Sequence, residues 1–337
     1  MTTPCLSIVI PAYNRVGPLR LTLRCAARAA QAIAAEIILV DDGSDPPLAE
    51  VLSRTLDSPI VLLRQPNQGS MAARDAGLRA ARGEYVLFLD SDDLVHPDKY
   101  SRQIAAMQAA GADLSYSDMA EYELSDAGDP VFRPGARLAT AASLPEFFLR
   151  VQPVPHNPIY RRDYLLRHLT PPLVPLCRDY DPVGDVWIYY NLLPHPGSLV
   201  KVDAPLTAVG VHDETRFSRH WETLGFAALR LMEDFSSRCP DAPETEFARQ
   251  LVGECAFDSW RRLPWDFPAE FQKRLLAIWR RAPRGPLGRL GGPGFTPLAR
   301  LLGPVGAARV LRRLRGAPYA ASRTLSDAEL ARLFATP

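Results

Sequence analysis

The chain is nearly devoid of lysine. Lys99, Lys201 and Lys273 are the only three in 337 residues, so almost all of its positive charge is arginine. With 32 prolines and abundant alanine, that bias points to a GC-rich bacterial coding sequence more than to a physical adaptation. Cysteine is scarce too. Cys5, Cys25, Cys177, Cys239 and Cys255 are odd in number and have no close pairs. This argues against a disulfide framework or a zinc site and suits a reducing cytoplasm. No apolar run reaches 18 residues, so no transmembrane helix is expected. The N-terminus shows no charged stretch leading into an apolar one, so a signal peptide is not expected. Leu6–Ile10 is too short for one and has the length of a strand. No internal repeat is visible. Acidic residues are missing altogether between Lys273 and Arg323, a segment with 12 basic ones. The rest of the chain holds 27 basic and 38 acidic residues, a net of −11. That asymmetry hints at a basic surface for an anionic partner.

What remains is ordinary for a soluble globular protein, 47% hydrophobic and 23% charged. The length suits two or three domains, or one large α/β unit with an extension. The first hundred residues alternate strand and helix patterns. Strands are expected at 6–10, 37–40, 60–63 and 85–89, and helices at 19–34, 48–55 and 69–82. Each strand is almost wholly apolar, which means a parallel sheet covered on both faces. Further on, 98–110 reads as helix and 113–117 as a short strand. Residues 126–160 read as irregular, and 161–193 as helical segments broken by Pro171-Pro172 and Pro175. Residues 199–211 read as strand, turn, strand. From Trp221 the pattern is helical, with a Gly/Pro-rich break at 285–294. A soft boundary is placed near Phe217.

Ligands of such sheets bind beyond the carboxyl ends of the strands. Three strand ends here carry polar clusters, Tyr13-Asn14, Asp41-Asp42 and Asp90-Ser91-Asp92-Asp93, and these should converge on one crevice. The last is the most informative. Five apolar residues, Tyr85 to Leu89, run directly into three carboxylates, and a buried strand rarely ends so without a compensating cation. Oxygen-only ligands there suit Mg²⁺ or Mn²⁺ shared with phosphate; a solvated strand end is the plainer alternative. Asp41-Asp42 before Gly43-Ser44 fits a carboxylate accepting from a base imide or a ribose hydroxyl, and equally a turn with helix capping. Asp185 opens the apolar segment Val186-Trp187-Ile188. It reads as an N-cap or as a general base for an acceptor hydroxyl, and both hold together. His212 ends Val209-Gly210-Val211; such a histidine is structural or completes a metal shell.

Taken in order, "LSIVIPAYNR", "IILVDDGSD" and "NQGSMAARDAGLRAARGEYVLFLDSDDLVHPD" resemble the family 2 glycosyltransferases, which have the GT-A fold. The likeness is close over residues 6–100, looser over 150–215 and absent after 217. It implies inverting transfer from a nucleotide-diphospho-sugar, UDP-sugar foremost, to an acceptor hydroxyl, with a divalent metal, Mn²⁺ or Mg²⁺. It implies a nucleoside site at Pro11, Tyr13 and Asp42, with Asn14 and Ser91 beside it on the same strand ends. Arg74 takes the arginine of the "GxxxARNxG" pattern, where Asp75 replaces the usual Asn. Asp90 and Asp92 match the DxD motif, Asp92 as the more direct metal ligand, and Asp93 is left open as support, cap or sugar contact. Asp185 matches the base position, preceded by Gly184 where many members carry Glu; Asp179 and Asp181 are the fallbacks. His212 resembles the histidine of the "H…S" segment, with Ser218 following. The implied layout is a mostly parallel central sheet flanked by helices. A nucleotide-sugar half spans 1–105, an acceptor half 106–217 and a basic helical extension 218–337.

Three readings are separable. A glycosyltransferase in glycoconjugate or polysaccharide biosynthesis needs the acidic clusters. A nucleotidyltransferase would open with a Gly-rich basic phosphate loop, where Pro11-Ala12-Tyr13-Asn14 stands instead. A non-catalytic scaffold would have no use for the intact carboxylates. In the tail, Ala307, Val310, Leu311 and Leu314 form one arc of an expected helix over 305–315, with Arg309, Arg312, Arg313 and Arg315 covering the rest. It reads as a docking helix with solvated arginines, or as peripheral attachment to anionic lipid at the inner face of the membrane, near a lipid-linked acceptor. No nucleic-acid module is recognisable. The acceptor classes left open are a glycan, a lipid-linked saccharide, a natural product and a protein side chain.

Overall fold

The structure is a computed structural model that describes residues 3–52, 60–210 and 220–335. The chain divides into two compact units, residues 1–172 with 195–214, and 173–194 with 215–337. The expected helical pieces of 161–193 are thus split: those up to Pro172 stay with the sheet, and 173–194 join the C-terminal helices.

The first unit holds one mixed sheet with helices on its faces. Its strands are β1 (Leu6–Ala12), β2 (Ala35–Asp41), β3 (Ile60–Arg64), β4 (Tyr85–Phe88), β5 (Leu94–Val95), β6 (Leu114–Leu124), β7 (Pro130–Pro134), β8 (Ile159–Arg161) and β9 (Leu199–Ala208). Its helices are α1 (Val16–Ala30), α2 (Leu48–Leu52), α3 (Ser70–Ala80), α4 (Lys99–Ala110), α5 (Leu144–Glu146) and α6 (Arg162–Leu169). The strand order is β3-β2-β1-β4-β8-β6-β9-β5, with β7 paired to β6. The first four strands run parallel, as their unbroken apolar runs require. β8 is antiparallel to both β4 and β6.

Alternate side chains of β1 serve opposite faces. Leu6, Ile8 and Ile10 pack with Leu19 and Leu23 of α1 and with Tyr100, Ile104 and Met107 of α4. Val9 faces the other way, onto α3. There Gly77 makes close approach possible, because a Cβ on it would sit 2.3 Å from Val9 Cγ1. From β1 the chain steps outward through β2 and β3, then returns to place β4 on the other flank of β1. That reversal opens a crevice at the carboxyl ends of β1 and β4.

Residues 106–210 depart from the expected elements: the stretch 126–160, expected to be irregular, holds β7, α5 and most of β8. The short strand at 113–117 continues to Leu124, into a hairpin with β7. The expected strand-turn-strand over 199–211 is one strand to Ala208, irregular in register opposite Asp118. A buried polar network ties these strands together. Lys99 Nζ donates to Gln103 Oε1 (2.6 Å), the Asn157 carbonyl (2.7 Å) and Thr207 Oγ1 (2.8 Å). The Asn157 side chain both accepts from the Ser117 N–H and donates to its carbonyl, each at 2.9 Å.

The second unit is helical: α7 (Gly184–Leu192), α8 (Trp221–Arg238), α9 (Glu246–Arg262), α10 (Ala269–Arg281), α11 (Phe295–Arg315) and α12 (Asp327–Ala335). α11 is bent at Gly303-Pro304, where proline cannot continue the backbone ladder. Its rotation differs from the expected arc. Ala307, Ala308 and Arg312 are buried, while Arg309, Val310, Arg313 and Leu314 are exposed. The Arg312 guanidinium lies over the Trp260 ring and donates to the carbonyls of Leu263 and Pro264 and to Gln272. An arginine whose stem packs and whose guanidinium donates three such hydrogen bonds is at home inside. No helix among the described residues is long and apolar enough to cross a membrane.

Candidate active site

The crevice is built from the ends of β1, β2 and β4 and the starts of α1 and α3, all in the sheet unit. At the end of β1, Pro11 is buried while Tyr13 is 49% exposed. Pro11 lies beyond the β4 ladder, which ends at Val9, so its missing N–H costs that ladder nothing. Asn14 adopts a left-handed backbone, φ 53°, a conformation Asn tolerates better than most residues. It clasps the neighbouring loop: its N–H donates to Ser44 Oγ (3.1 Å), and its Oδ1 accepts from the Asp45 N–H (2.8 Å).

The two adjacent aspartates of β2 divide the work. Asp41 is the local turn-holder: it accepts from the N–H groups of Ser44 (2.8 Å) and Leu48 (3.1 Å) and from Arg64 (2.7 Å). Burial pushes its carboxyl up, but the bonds from Ser44 and Leu48 and the Arg64 charge outweigh that and hold it below the usual value. Asp42 holds the loop that leads into a helix far away in sequence. Its Oδ1 accepts from Gln65 Nε2 (2.7 Å) and the Gln68 N–H (2.9 Å), and its Oδ2 from the Gly69 N–H (2.9 Å). It therefore fixes the entry to α3, whose N-terminal dipole favours an anion. Gly43 allows the loops to meet: its φ is +81°, and a Cβ would fall 2.8 Å from the Asn67 nitrogen.

The acidic turn after β4 is held by cations and backbone. Arg74, on α3 and 4% exposed, places Nη2 2.5 Å from Asp90 Oδ1. Arg15, at the start of α1, pairs with Asp92 Oδ2. Thr22 of α1 donates to the Ser91 carbonyl (3.1 Å). Asp93 turns inward. Its Oδ2 lies 2.8 Å from Nδ1 of the fully buried His156, and its Oδ1 accepts from the Gly210 N–H (2.8 Å). Burial lowers the His156 pKa, yet the charge and hydrogen bond of Asp93 overcome this and leave it raised. Gly210 is pressed onto the turn so closely that a Cβ would lie 1.6 Å from the Asp92 carbonyl oxygen.

Pro11, Tyr13, Asn14, Asp42, Arg74, Asp90, Ser91 and Asp92 thus sit around the one crevice. Asp75 points elsewhere, pairing with Arg79 one turn along α3 (2.8 Å). His212 and Ser218 lie outside the described residues. Asp185 is the second residue of α7, in the helical unit, and its side chain also lies outside the described set. In that unit Asp179 pairs with Arg230 of α8 (3.4 Å), and Asp181 lies 3.5 Å from Arg178. Four contributors carried no sequence signal: Arg15, Thr22, His156 and Gly210. Each acts on the acidic turn from a distant stretch of chain.

Among the described residues no three His, Cys, Asp or Glu side chains are grouped to hold a metal. Asp90 and Asp92 nevertheless suit Mg²⁺ or Mn²⁺. Both are hard oxygen donors, partly exposed at 26% and 17%, and such ions need few protein ligands when phosphate oxygens supply the rest.

Residues 7–166 match the sequence model "Glycosyl transferase family 2". The "Putative glycosyltransferase EpsH" of Bacillus subtilis is 29% identical over 243 residues, 69% of this chain and 68% of that protein. Among solved structures, S. aureus TarS 1–349 in complex with UDP-GlcNAc superposes with a TM-score of 0.57 at 16% identity, covering 95% of this chain and 93% of that one. The mannosyltransferase PcManGT of Pyrobaculum calidifontis, in complex with GDP-Man and Mn²⁺, gives 0.54 at 15% identity, covering 94% and 87%. At these identities the two structures attest the GT-A-like fold alone. Residues 7–166 are thus similar to glycosyl transferase family 2, and with the glycosyltransferase relatives this makes the protein a transferase enzyme of the glycosyltransferase kind.

Proposed function

We propose that the enzyme transfers a sugar from a nucleotide-diphospho-sugar, a UDP-sugar foremost, to an acceptor hydroxyl with inversion of configuration. The observation that carries this reading is the convergence of Asn14, Asp42, Arg74, Asp90 and Asp92 at the β1/β4 crevice. Asp42 has one acceptor position left after its three hydrogen bonds, and we assign it to the base imide, with Pro11 and the exposed Tyr13 bounding the nucleoside. Ser91 and Asn14 line the same donor site. Arg74 lies where a guanidinium meets donor oxygens in a charge-assisted contact. Asp90 and Asp92 would hold Mn²⁺ or Mg²⁺, with His212 as a further candidate ligand. Such an ion, when bound, supplies positive charge to the departing nucleotide.

Asp185 is assigned the general base, with Asp179 and Asp181 as alternates. It takes the proton of the acceptor hydroxyl as that oxygen attacks the anomeric carbon opposite the nucleotide, so the configuration inverts in one displacement. On this reading residues 1–105 serve the donor, 106–217 the acceptor and 218–337 the surroundings of the acceptor. The acceptor is a glycan, a lipid-linked saccharide or a natural product. The place of action is the cytoplasm, at the inner face of the membrane.

The test is a donor-hydrolysis and transfer screen over UDP-, GDP- and dTDP-sugars, with and without Mn²⁺. Turnover of a UDP-sugar that needs the metal is expected. Turnover unaffected by chelation would remove the metal assignment, and preference for a GDP- or dTDP-sugar would remove the donor assignment.

A further inference from the structure

We propose that α11 docks this protein on an anionic lipid bilayer through an exposed face that mixes aliphatic and arginine side chains. Four aliphatic residues of this one helix stand in solvent: Leu301 (79% exposed), Leu314 (75%), Leu302 (48%) and Val310 (39%). Isolated exposed leucines need no explanation, but a group of them on one element marks a surface that meets something else. In the limb after the Gly303-Pro304 bend, positions 306, 309, 310, 313 and 314 fall within an arc of roughly 140° at the helical repeat. Arg309, Val310, Arg313 and Leu314 thus share one outer face. Arg300 is exposed beside Leu301 on the limb before the bend.

The helix's rotation strengthens the argument. A helix packed only for its own unit would turn Val310 and Leu314 inward and leave its arginines outside. Here Arg312 is the inward residue, stacked over Trp260 and bonded to the carbonyls of Leu263 and Pro264. That anchoring leaves the aliphatic residues facing outward. The arginines on the outer face are not neutralised from within. Arg300, Arg309 and Arg313 form no ion pair among the described residues, and the segment 273–323 contains no carboxylate. Arg313 lies over the ring of Trp265, itself 43% exposed.

The occupant these features describe is a phosphate-bearing lipid surface. The aliphatic residues are spread along both limbs of the helix, Leu301, Val310 and Leu314 each next to an arginine in sequence, and an aromatic residue flanks them. This is the make-up of a helix lying in the headgroup–acyl boundary. A protein hot spot would instead gather around one anchor in a desolvated pocket. The docking itself stands on the exposed residues of α11; its purpose, bringing the enzyme to a lipid-linked acceptor, rests on the function proposed above.

The experiment is vesicle co-sedimentation of the full chain, using phosphatidylcholine vesicles with and without added phosphatidylglycerol. We expect binding to the anionic vesicles that weakens with salt. Leu301→Glu/Leu314→Glu should lower partitioning at least about tenfold. Arg300→Gln/Arg309→Gln/Arg313→Gln should lower it by about fivefold per arginine. Circular dichroism confirms that each variant is folded, and UDP binding is followed in parallel. No binding of the unaltered chain to anionic vesicles overturns the proposal. So does unchanged partitioning of the leucine variant, which would mean adsorption by charge alone. Vesicle binding without UDP binding would leave the docking standing and remove the UDP-sugar donor assignment, so the two failures are distinct.

Discussion

Nη2 of Arg74 lies 2.5 Å from Oδ1 of Asp90 and binds α3 to the end of β4 through a side chain that is almost fully buried. The first aspartate of the acidic turn is therefore already compensated before any donor arrives. Replacing Arg74 by Gln withdraws a buried cation from a half-buried carboxylate, and we expect a loss of about 1–3 kcal/mol in stability. Mn²⁺ with UDP should restore part of it, because a ligand that binds only the folded state stabilises it by mass action. Thermal melts with and without both ligands measure this. An unchanged melting temperature in the ligand-free variant would count against the ion pair.

Asp92 and Asp185 carry different proposed roles and should fail differently. Asp92→Ala is expected to lose both UDP binding in Mn²⁺ and sugar transfer. Asp185→Asn should keep UDP binding and lose transfer by at least about 10²-fold. Calorimetric titration of UDP, run beside a transfer assay, separates the two. Full transfer by either variant would remove its assigned role.

Gly210 tests the turn from behind. Its Cβ position meets the backbone oxygen of Asp92, and backbone does not yield as a side-chain tip does. Gly210→Ala should displace the turn and lower transfer at least about tenfold, since small misplacements near reacting groups are costly. Gly111→Ala serves as a control, because a Cβ at Gly111 meets nothing within 4 Å. That control carries only the strain of its left-handed backbone, φ +62°.

Glu36 gives a pH prediction. It accepts from Ser7 Oγ (2.6 Å), the Arg82 N–H (2.8 Å) and the Arg82 guanidinium (2.7 and 3.0 Å). Burial raises its pKa, but the bonds from Ser7 and Arg82 and the Arg82 charge prevail, leaving it below the ordinary 4.5. The folded state then binds fewer protons than the unfolded one. The contribution is complete above pH 4.5 and drains away as pH falls through the lower folded value. Glu36→Gln should therefore be less stable than the parent at pH 7 by about 1–3 kcal/mol, and the gap should close toward pH 3. Urea midpoints at several pH values follow it; a constant gap would contradict the linkage.

Lys99 is the most demanding residue of the interior. Burial drives its pKa well down, and its three acceptors match the three donors of an ammonium. Lys99→Met keeps the stem and orphans those acceptors. We expect a loss of about 2–4 kcal/mol, read from chemical denaturation.

The donor half was legible because parallel strands announce themselves. β1 and β4 are unbroken apolar runs, and carboxylates at their ends have few other uses. The acceptor half hid its strands. β6 leaves the core only beyond Ala120, where Glu121 and Glu123 face solvent, and its buried Ser115, Ser117 and Asp118 break the apolar run while the strand continues. Pro205 in β9 suggested a turn, yet it sits at the register irregularity opposite Asp118. The division of labour between Asp41 and Asp42 was not readable, because Asp42 bonds the loop before α3, 27 residues away. Nor was the Asp93–His156 pair, whose members are 63 positions apart. Arg312 defeated the helical arc for a tertiary reason, since its place depends on Trp260 and on two carbonyls of the preceding loop.

The continuous sheet limits how such enzymes can be rearranged. β4 takes β8 as its antiparallel partner, β5 takes β9, and the acidic turn leans on Gly210. The strands that border the crevice are thus completed by chain that arrives 72 to 117 residues later. A fragment ending at 105 would leave β4 as a bare hydrophobic edge, open to pairing with its own kind. The proposed donor and acceptor halves are therefore not exchangeable cassettes. A chimera meant to swap the acceptor while keeping the donor should graft surface loops and leave β8, β9 and Gly210 in place.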